Sequence, residues 1–214
     1  MLLADAPLTL REFVTHEELP LASIFREMFL FLRGREDVVL FGAHAVNAYC
    51  EPSRMTQDVD VMSSRGRDLA EEIRAHLAAQ FHIAVRVREV ADGLGFRIYQ
   101  VRKPKNRHLV DVRQVPALPA SRQVEGLAVL DPTELTAMKA ISAADRSARE
   151  KGLSDRLDLA RLLRTFPALR AEEGPLTDRL RTLGASERTL DFWREVARAP
   201  IDAEADESEG DETE

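Results

Sequence analysis

The spacing of hydrophobic residues changes along the chain, and each spacing predicts a different kind of element. Between residues 21 and 32, apolar positions recur three and four residues apart, which is typical of one face of a helix, and Gly34 follows as a stop. Apolar runs and alternating positions further along are typical of strands. They predict strands at 37–41, 57–62, 83–90, 95–102 and 107–115, with helices from about His44 and over 66–80.

The pattern becomes helical in the last part of the chain. Asp131 is followed by Pro132 and Glu134, which gives an acidic N-cap, a proline at the first helical position and an acid at the third. We expect this helix to run to about Arg149, another to begin near Gly152, and one or two amphipathic helices to follow. The expected segments are an N-terminal helical segment at 1–35, a core at 36–120, a C-terminal helical region at 121–200 and a disordered acidic tail at 201–214.

The composition is that of a soluble globular protein, because 44% of the 214 residues are hydrophobic and 31% are charged. No apolar run approaches the ~20 residues of a membrane span, so no membrane partner is expected. The single cysteine, Cys50, cannot form an internal disulfide. That cysteine count fits a cytoplasmic location.

The net charge of −7 is concentrated at the C-terminus. Residues 202–214 contain eight acidic residues and no basic one, and a segment with so little to bury is expected to be disordered. The remainder of the chain has 30 basic residues against 29 acidic residues. Its near-neutral charge does not exclude an RNA partner.

Two carboxylates stand two positions apart on the strand expected at 57–62. Residues i and i+2 of a strand point to the same face, so Asp58 and Asp60 project side by side. Adjacent acids repel each other unless a cation lies between them, and Mg²⁺ is typically held by one or two carboxylates together with substrate phosphates. The simpler alternative is a pair of acids on a half-exposed strand.

A glycine ends the preceding apolar strand. Gly42 and Ala43 stand between that strand and the expected helix. A tight turn here lets backbone N–H groups approach a phosphate, and the N-terminus of the helix favours negative charge. His44, next in the chain, is either a substrate contact or an ordinary polar residue at a helix start.

This order of motifs resembles the polymerase-β-like nucleotidyltransferases. A glycine turn, a spacer and then Asp-x-Asp on the next strand form their signature. The variant with Arg54 and Thr56 directly before Asp58 and Asp60 looks most like the AbiEii-type nucleotidyltransferases, the toxin components of type IV toxin–antitoxin systems. Ala43 departs from the usual Gly-Gly or Gly-Ser, which removes a hydroxyl contact but keeps the backbone turn.

The resemblance implies a third acid, and Asp111 on the strand at 107–115 matches it. In this superfamily such an acid is a base for the attacking hydroxyl or a ligand to a second metal ion. Strict alternation would put Leu109 and Arg113 on the face of Asp111, and His108 on the other face. The alternative is a solvent-facing acid paired with Arg113.

Further matches lie in the helical region. Lys139 resembles the family lysine that reaches the triphosphate, and Asp155 and Asp158 resemble its Asp-x-x-Asp motif. Without the resemblance, Lys139 is a surface lysine beside an apolar stripe. An acid such as Asp155 in the first turn of a helix stabilises the helix N-terminus, whereas Asp158 lies further in.

The resemblance implies an α+β fold, with a polymerase-β-like core of a mixed sheet with helices on one face, and a C-terminal helical region. The implied activity is transfer of nucleotide from an NTP to a tRNA 3′ end or a protein, with Mg²⁺ or Mn²⁺ as cofactor and a cognate antitoxin as partner. Alternatives are a protein-AMPylating enzyme, an aminoglycoside-type small-molecule enzyme and a non-catalytic binding module. The implied metal ligands are Asp58, Asp60 and Asp111. The implied catalytic residues are these three acids together with Lys139 and Asp158. The implied nucleotide-binding residues are Gly42, Ala43, Arg54, Thr56, Lys139 and Asp155.

Overall fold

The computed structural model describes residues 19–200. The expectations for the start of the chain and for the acidic tail at 201–214 lie outside the described residues. The chain divides into two compact units, Met1–Leu135 and Thr136–Glu214. The division falls later than the expected start of a helical region at residue 121.

The first helix follows from the apolar spacing near the N-terminus. Helix α1 spans Leu21–Leu32. At its C-terminal end the N–H of Arg33 donates a hydrogen bond to the carbonyl of Phe29. All six apolar residues of the predicted face are buried, so the predicted helix is confirmed. These residues are Leu21, Ile24, Phe25, Met28, Phe29 and Leu32.

A mixed seven-stranded sheet forms the centre of the first unit, as the fold class predicts. Its strands are β1 (Val38–Phe41), β2 (Val59–Ser63), β3 (Val85–Val90), β4 (Gly95–Gln100), β5 (Arg107–Gln114), β6 (Ser121–Val124) and β7 (Leu127–Leu130). They lie side by side in the order β3-β4-β5-β2-β1-β7-β6. The pairs β2–β5 and β1–β7 are parallel, and the other neighbours are antiparallel.

Two further helices belong to this sheet. Helix α2 (Gly42–Tyr49) follows β1 directly, and helix α3 (Gly66–Phe81) connects β2 to β3. Helix α3 lies on the face of β4 that carries Phe96, because the guanidinium carbon of Arg67 is 5.2 Å from the centroid of the Phe96 ring. The opposite face of β4 carries the exposed Arg97.

The hairpin of β6 and β7 is a correction to the expected helical region. Residues 121–130 form two strands joined by a turn at Glu125 and Gly126, and β7 pairs with β1. Strand β6 is an edge strand whose first three residues are exposed. Such a strand carries no buried alternating pattern, so hydrophobic spacing gives no sign of it.

The second unit is helical, as expected for that part of the chain. Helix α4 (Pro132–Asp145) leads into α5 (Glu150–Thr165), a short 3₁₀ helix (Pro167–Arg170), α6 (Pro175–Thr182) and α7 (Glu187–Arg198). The core of this unit centres on the fully buried Trp193, whose indole N–H donates to the hydroxyl of Thr177 at 3.1 Å. Trp193 is therefore a core residue here. None of the helices within residues 19–200 is long and apolar enough to cross a membrane.

Candidate functional site

Three acids converge where β2 and β5 run side by side. Asp60 on β2 is paired in register with Asp111 on β5, and Asp58 directly precedes β2. Paired residues of neighbouring strands share a face of the sheet. The third strand acid that the sequence predicts therefore lies beside the Asp-x-Asp motif.

A histidine that strict alternation would place on the other face joins these acids. Between Ile98 and Tyr99 of β4 the pairing with β5 skips Leu109, which is the extra residue of a β-bulge. A bulge reverses the alternation of side chains along one strand. The expectation that His108 faces away from Asp111 is therefore wrong.

His108 lies between two carboxylates. Its Nδ1 is 3.2 Å from Asp58 Oδ2, and its Nε2 is 3.4 Å from Asp111 Oδ1. Burial lowers the pKa of the imidazole, but the carboxylates of Asp111 and Asp58 outweigh that effect and raise the pKa of His108 to about 9. In this arrangement His108 carries a positive charge that partly neutralises the acids. The ring of Tyr99 lies against it, with centroids 5.0 Å apart.

Asp111 has a second basic neighbour, and it is not Arg113. The guanidinium Nε of Arg97, opposite Asp111 on β4, donates to Asp111 Oδ1 at 3.0 Å. Arg113 instead places its guanidinium carbon 4.8 Å from the centroid of the Phe41 ring. Asp111 is therefore paired with Arg97, and the alternative in which it pairs with Arg113 is wrong.

The glycine turn lies directly against Asp60. Gly42 has a positive φ of 70°, and a Cβ built on it would stand 2.0 Å from Asp60 Oδ2. Side chains rarely adopt this backbone conformation, and here there is no room for one. The fold therefore requires glycine at the start of α2 for two reasons. Ala43, the next residue, is buried.

The loop with Arg54 and Thr56 is held by a residue that sequence reasoning missed. The buried side chain of Asn47 on α2 donates from Nδ2 to the carbonyl of Arg54 at 2.7 Å, and its Oδ1 accepts from the Arg54 N–H at 3.0 Å. The hydroxyl of Thr56 donates to the carbonyl of Asp58 at 3.3 Å. The sequence carries no sign of Asn47, because an asparagine on a helix has many ordinary roles.

His44 is half-buried at the start of α2 and packs against α1. Its ring packs edge-on against Phe25 and Phe29, with both centroid distances at 4.9 Å. Burial lowers the pKa of His44 to about 4, so the ring is neutral at physiological pH. His44 thus attaches the start of α2 to α1.

The donor set of the site fits a divalent cation. Asp58, His108 and Asp111 each offer a ligand atom, and these atoms lie within 4.8 Å of one another. His108 would bind an ion only as the neutral imidazole, so the ion would displace the proton that the ring otherwise carries. Carboxylates suit Mg²⁺ and Mn²⁺, and an imidazole suits transition ions. Asp60, which the sequence predicts as a ligand, is paired in register with Asp111, but its carboxylate does not belong to this group of three and lies against Gly42.

Lys139, Asp155 and Asp158 lie in the second unit, where they contact one another. Lys139 Nζ is 2.8 Å from Asp155 Oδ1 and 2.7 Å from Asp158 Oδ2. Ser142 Oγ donates to the other oxygen of Asp155 at 2.6 Å, and Arg161 lies 3.7 Å from Asp158. Lys139 is only 9% exposed, so it is not a surface lysine. Its role toward the triphosphate stays a prediction.

Comparison with known proteins finds solved structures of similar fold, but no match among protein-family models or curated proteins. The crystal structure of the Megavirus polyadenylate synthase is similar, with a TM-score of 0.56 and 14% sequence identity. The match covers 74% of this chain and 36% of the polyadenylate synthase. The chain has a nucleotidyltransferase fold.

Two further structures match over most of both chains with lower scores. JHP933 from Helicobacter pylori has 12% identity and a TM-score of 0.49, covering 89% of this chain and 92% of its own. An antigenic nucleotidyltransferase-like protein from Paracoccidioides brasiliensis has 16% identity and a TM-score of 0.44, and the match covers 92% of this chain and 97% of that protein. The fold assignment therefore rests on the similarity to the polyadenylate synthase, and membership of the polymerase-β-like superfamily and of its AbiEii type stays a prediction.

Proposed function

We propose that the chain is a metal-dependent nucleotidyltransferase that transfers a nucleotide from an NTP to an acceptor hydroxyl and releases pyrophosphate. The observation that carries this proposal is the pairing of Asp60 with Asp111, beside Asp58 and next to the Gly42 turn. A fold alone does not imply an activity, so the argument rests on this arrangement.

Each group at the site has a role in this reaction. Asp58, Asp60 and Asp111 would hold the divalent ion, which neutralises phosphate charge when it is bound. The backbone N–H groups at the N-terminus of α2, beginning at Gly42 and Ala43, are suited to a phosphate. Arg54 and Thr56 belong to the loop that Asn47 holds beside α2.

The transfer is a single displacement at phosphorus. The acceptor oxygen forms a bond to the α-phosphorus, and the bond from that phosphorus to the bridging oxygen breaks, so that pyrophosphate leaves in line with the attack. The proton of the acceptor hydroxyl passes to a carboxylate oxygen of Asp111. Arg97 donates a hydrogen bond to Asp111 and orients that carboxylate, and His108 Nε2 lies 3.4 Å from it.

The resemblance to AbiEii-type proteins supports a finer proposal: a toxin that modifies a tRNA 3′ end or a protein and is countered by an antitoxin. An enzyme of the aminoglycoside type needs acids to hold a cationic substrate. Strand β4 instead presents Arg97 beside Asp111. This observation favours an anionic acceptor over a cationic drug.

The test supplies each of the four NTPs, labelled at the α-phosphate, with Mg²⁺ or Mn²⁺ to purified tRNA, to total RNA and to lysate protein. We expect the label to enter one macromolecular acceptor and the Asp60→Asn variant to leave that acceptor unlabelled. Absence of labelling with every NTP and both metals, by a folded protein, would contradict the proposal.

A further inference from the structure

One face of the sheet carries a row of charged residues that extends from the site to the edge strand. The register pairs Arg88 on β3 with Arg97 on β4, Arg97 with Asp111 on β5, Asp111 with Asp60 on β2, and Asp60 with Phe41 on β1. Residues paired in this way share one face of the sheet. The acids of the site and these arginines therefore lie on the same face.

A second row runs parallel to the first. It pairs Arg86 on β3 with Tyr99 on β4, and Tyr99 with His108 on β5. We call the set of Arg86, Arg88, Arg97 and Tyr99 the arginine–tyrosine surface. It covers the part of β3 and β4 that lies directly beside Asp111 and His108. It is on the opposite side of β4 from Phe96, against which Arg67 of α3 lies.

Of the three arginines of this surface, Arg97 pairs with Asp111, whereas Arg86 and Arg88 have no carboxylate partner among the described residues. Arg86 and Arg88 are exposed. Arg88 stands directly opposite Arg97, and like charges in that relation destabilise a sheet. The nearby Glu89 pairs with Arg67 on the other face. An unbalanced cationic surface of this kind fits an anionic partner.

The proposed transfer reaction fixes the side from which the acceptor approaches. The phosphate-binding turn at Gly42 follows β1, on one side of Asp60, and Asp111 lies on the other side. In-line displacement requires the attacking hydroxyl to lie opposite the leaving pyrophosphate. The acceptor then extends from Asp111 across β4 to β3, which is the arginine–tyrosine surface.

The chemistry of this surface matches a single-stranded nucleic acid. Single strands bind where cationic side chains follow the backbone and aromatic rings stack on bases, with little dependence on sequence. The ring of Tyr99 is partly exposed, and the guanidinium carbon of Arg86 lies 5.9 Å from its centroid. From β5 to β3 the surface spans two strand spacings, about 10 Å, which accommodates the last nucleotides of a strand.

We propose that the arginine–tyrosine surface binds the single-stranded 3′ end of an RNA acceptor and directs its terminal hydroxyl to Asp111. This proposal rests on the proposed function for the direction of the acceptor. The exposed Lys103 and Lys105 of the β4–β5 loop extend the positive charge beyond the surface. Because Arg97 also contacts Asp111, its variants do not separate RNA binding from the reaction.

The test measures RNA binding without NTP and without metal, so that it does not depend on the reaction. The probe is a single-stranded oligoribonucleotide of mixed sequence with a fluorescein at its 5′ end and a free 3′ hydroxyl, followed by fluorescence anisotropy over a range of salt concentrations. The variant is Arg86→Gln with Arg88→Gln. The control is Arg74→Gln, an arginine of α3 that pairs with Glu71.

We expect the double variant to bind the probe at least tenfold more weakly and to lower the slope of log affinity against log salt by about 1.4, since each phosphate contact to a single strand contributes about 0.7. The control should bind as the wild type does. A duplex RNA of the same sequence should bind more weakly than the single strand. Equal binding by the double variant and the wild type, or no binding by the wild type, would overturn the proposal.

The labelling experiment distinguishes this proposal from the proposed function. Label entering protein but not RNA would leave the transferase assignment standing and overturn the RNA surface. Loss of RNA binding in the double variant, with no label transferred by the wild type under any condition, would support the surface and contradict the activity. Circular dichroism and thermal unfolding confirm that each variant is folded.

Discussion

Gly42 and the carboxylate of Asp60 occupy adjoining space that no side chain at position 42 can share. A Cβ on Gly42 would lie 2.0 Å from Oδ2 of Asp60 and 2.7 Å from its Cγ. The backbone of Gly42 also has a φ of 70°. The close approach of Gly42 to the Asp60 carboxylate thus positions both the start of α2 and Asp60. A substitution at Gly42 changes both.

Gly42→Ala should therefore abolish transfer and destabilise the first unit. The positive φ alone costs an alanine about 1–3 kcal/mol, and the carboxylate must move as well. Gly34→Ala is the matched control, because Gly34 has a φ of 73° and a Cβ added there would meet no atom within 4 Å among residues 19–200. Urea unfolding and α-phosphate labelling measure the two effects. If both variants lost the same stability and kept activity, the contact with Asp60 would have no functional importance.

Asp58→Asn should weaken binding of a divalent ion at least tenfold, because a carboxylate ligand becomes a neutral amide. Stability should change little, since Asp58 is partly exposed and its contact with His108 is a partly solvated one. Binding of Mn²⁺ followed by electron paramagnetic resonance gives the affinity. Glu89→Gln is the control, because Glu89 pairs with Arg67 on the other face of the sheet. Equal Mn²⁺ affinity of the Asp58→Asn variant and the wild type would remove Asp58 from the ligand set.

Asn47→Ala should destabilise the protein by about 1–3 kcal/mol, because the N–H and carbonyl of Arg54 both lose their hydrogen bonds to the Asn47 side chain. If Arg54 and Thr56 bind phosphates, the affinity for NTP should fall more than the stability loss explains at temperatures where the variant is fully folded. Isothermal titration with a non-hydrolysable NTP analogue and thermal unfolding measure the two quantities. Unchanged NTP affinity in a folded variant would exclude the loop from the nucleotide site.

The sequence predicts those features of the site that repeat a regular pattern. Asp58 and Asp60 share a face because a strand alternates, and Gly42 ends an apolar run, so both are visible in the order of residues alone. Helix α1 follows from its apolar spacing in the same way. These features depend on local geometry.

Features that depend on departures from a pattern were missed. The bulge at Leu109 brings His108 to the face of Asp111, and nothing in the apolar alternation of β5 reveals it. Strand β6 is polar and lies at the sheet edge, so it has no hydrophobic signal. The pairing of Asp111 with Arg97 depends on strand order, which spacing within one strand does not contain.

The pH dependence of stability should show the contribution of His44. Its pKa is about 4 in the folded protein and 6.5 in the unfolded chain, where it is exposed. The unfolded chain therefore binds a proton first as pH falls, so the free energy of unfolding decreases between pH 6.5 and about 4, by up to roughly 3 kcal/mol. His44→Phe should reduce this decrease, whereas the exposed His82→Asn should not. Parallel pH profiles for His44→Phe and the wild type would contradict the assignment.

Two roles are open to Lys139, a structural one toward Asp155 and Asp158 and a nucleotide-binding one, and variants distinguish them. Asp158 is fully buried, and Asp155 and Lys139 are nearly so. Lys139→Met removes the cation that lies within 2.8 Å of both buried carboxylates, and although Arg161 stays near Asp158 and Ser142 still donates to Asp155, the loss should cost about 3–5 kcal/mol. Replacing Asp155 and Asp158 by Asn in the same protein should restore much of that loss, because both buried carboxylates are then neutral amides. Urea unfolding of the single and triple variants measures both.

The nucleotide affinity of the triple variant, compared with that of the Asp155→Asn, Asp158→Asn double variant that keeps Lys139, then decides the role of Lys139. Its fold is expected to be retained, so a loss of NTP affinity cannot be attributed to unfolding. If Lys139 contacts the triphosphate, the loss of a charge-assisted contact should weaken NTP binding about ten- to a hundredfold. An NTP affinity equal to that of the double variant would make Lys139 a purely structural cation that holds α4 to α5 through Asp155 and Asp158.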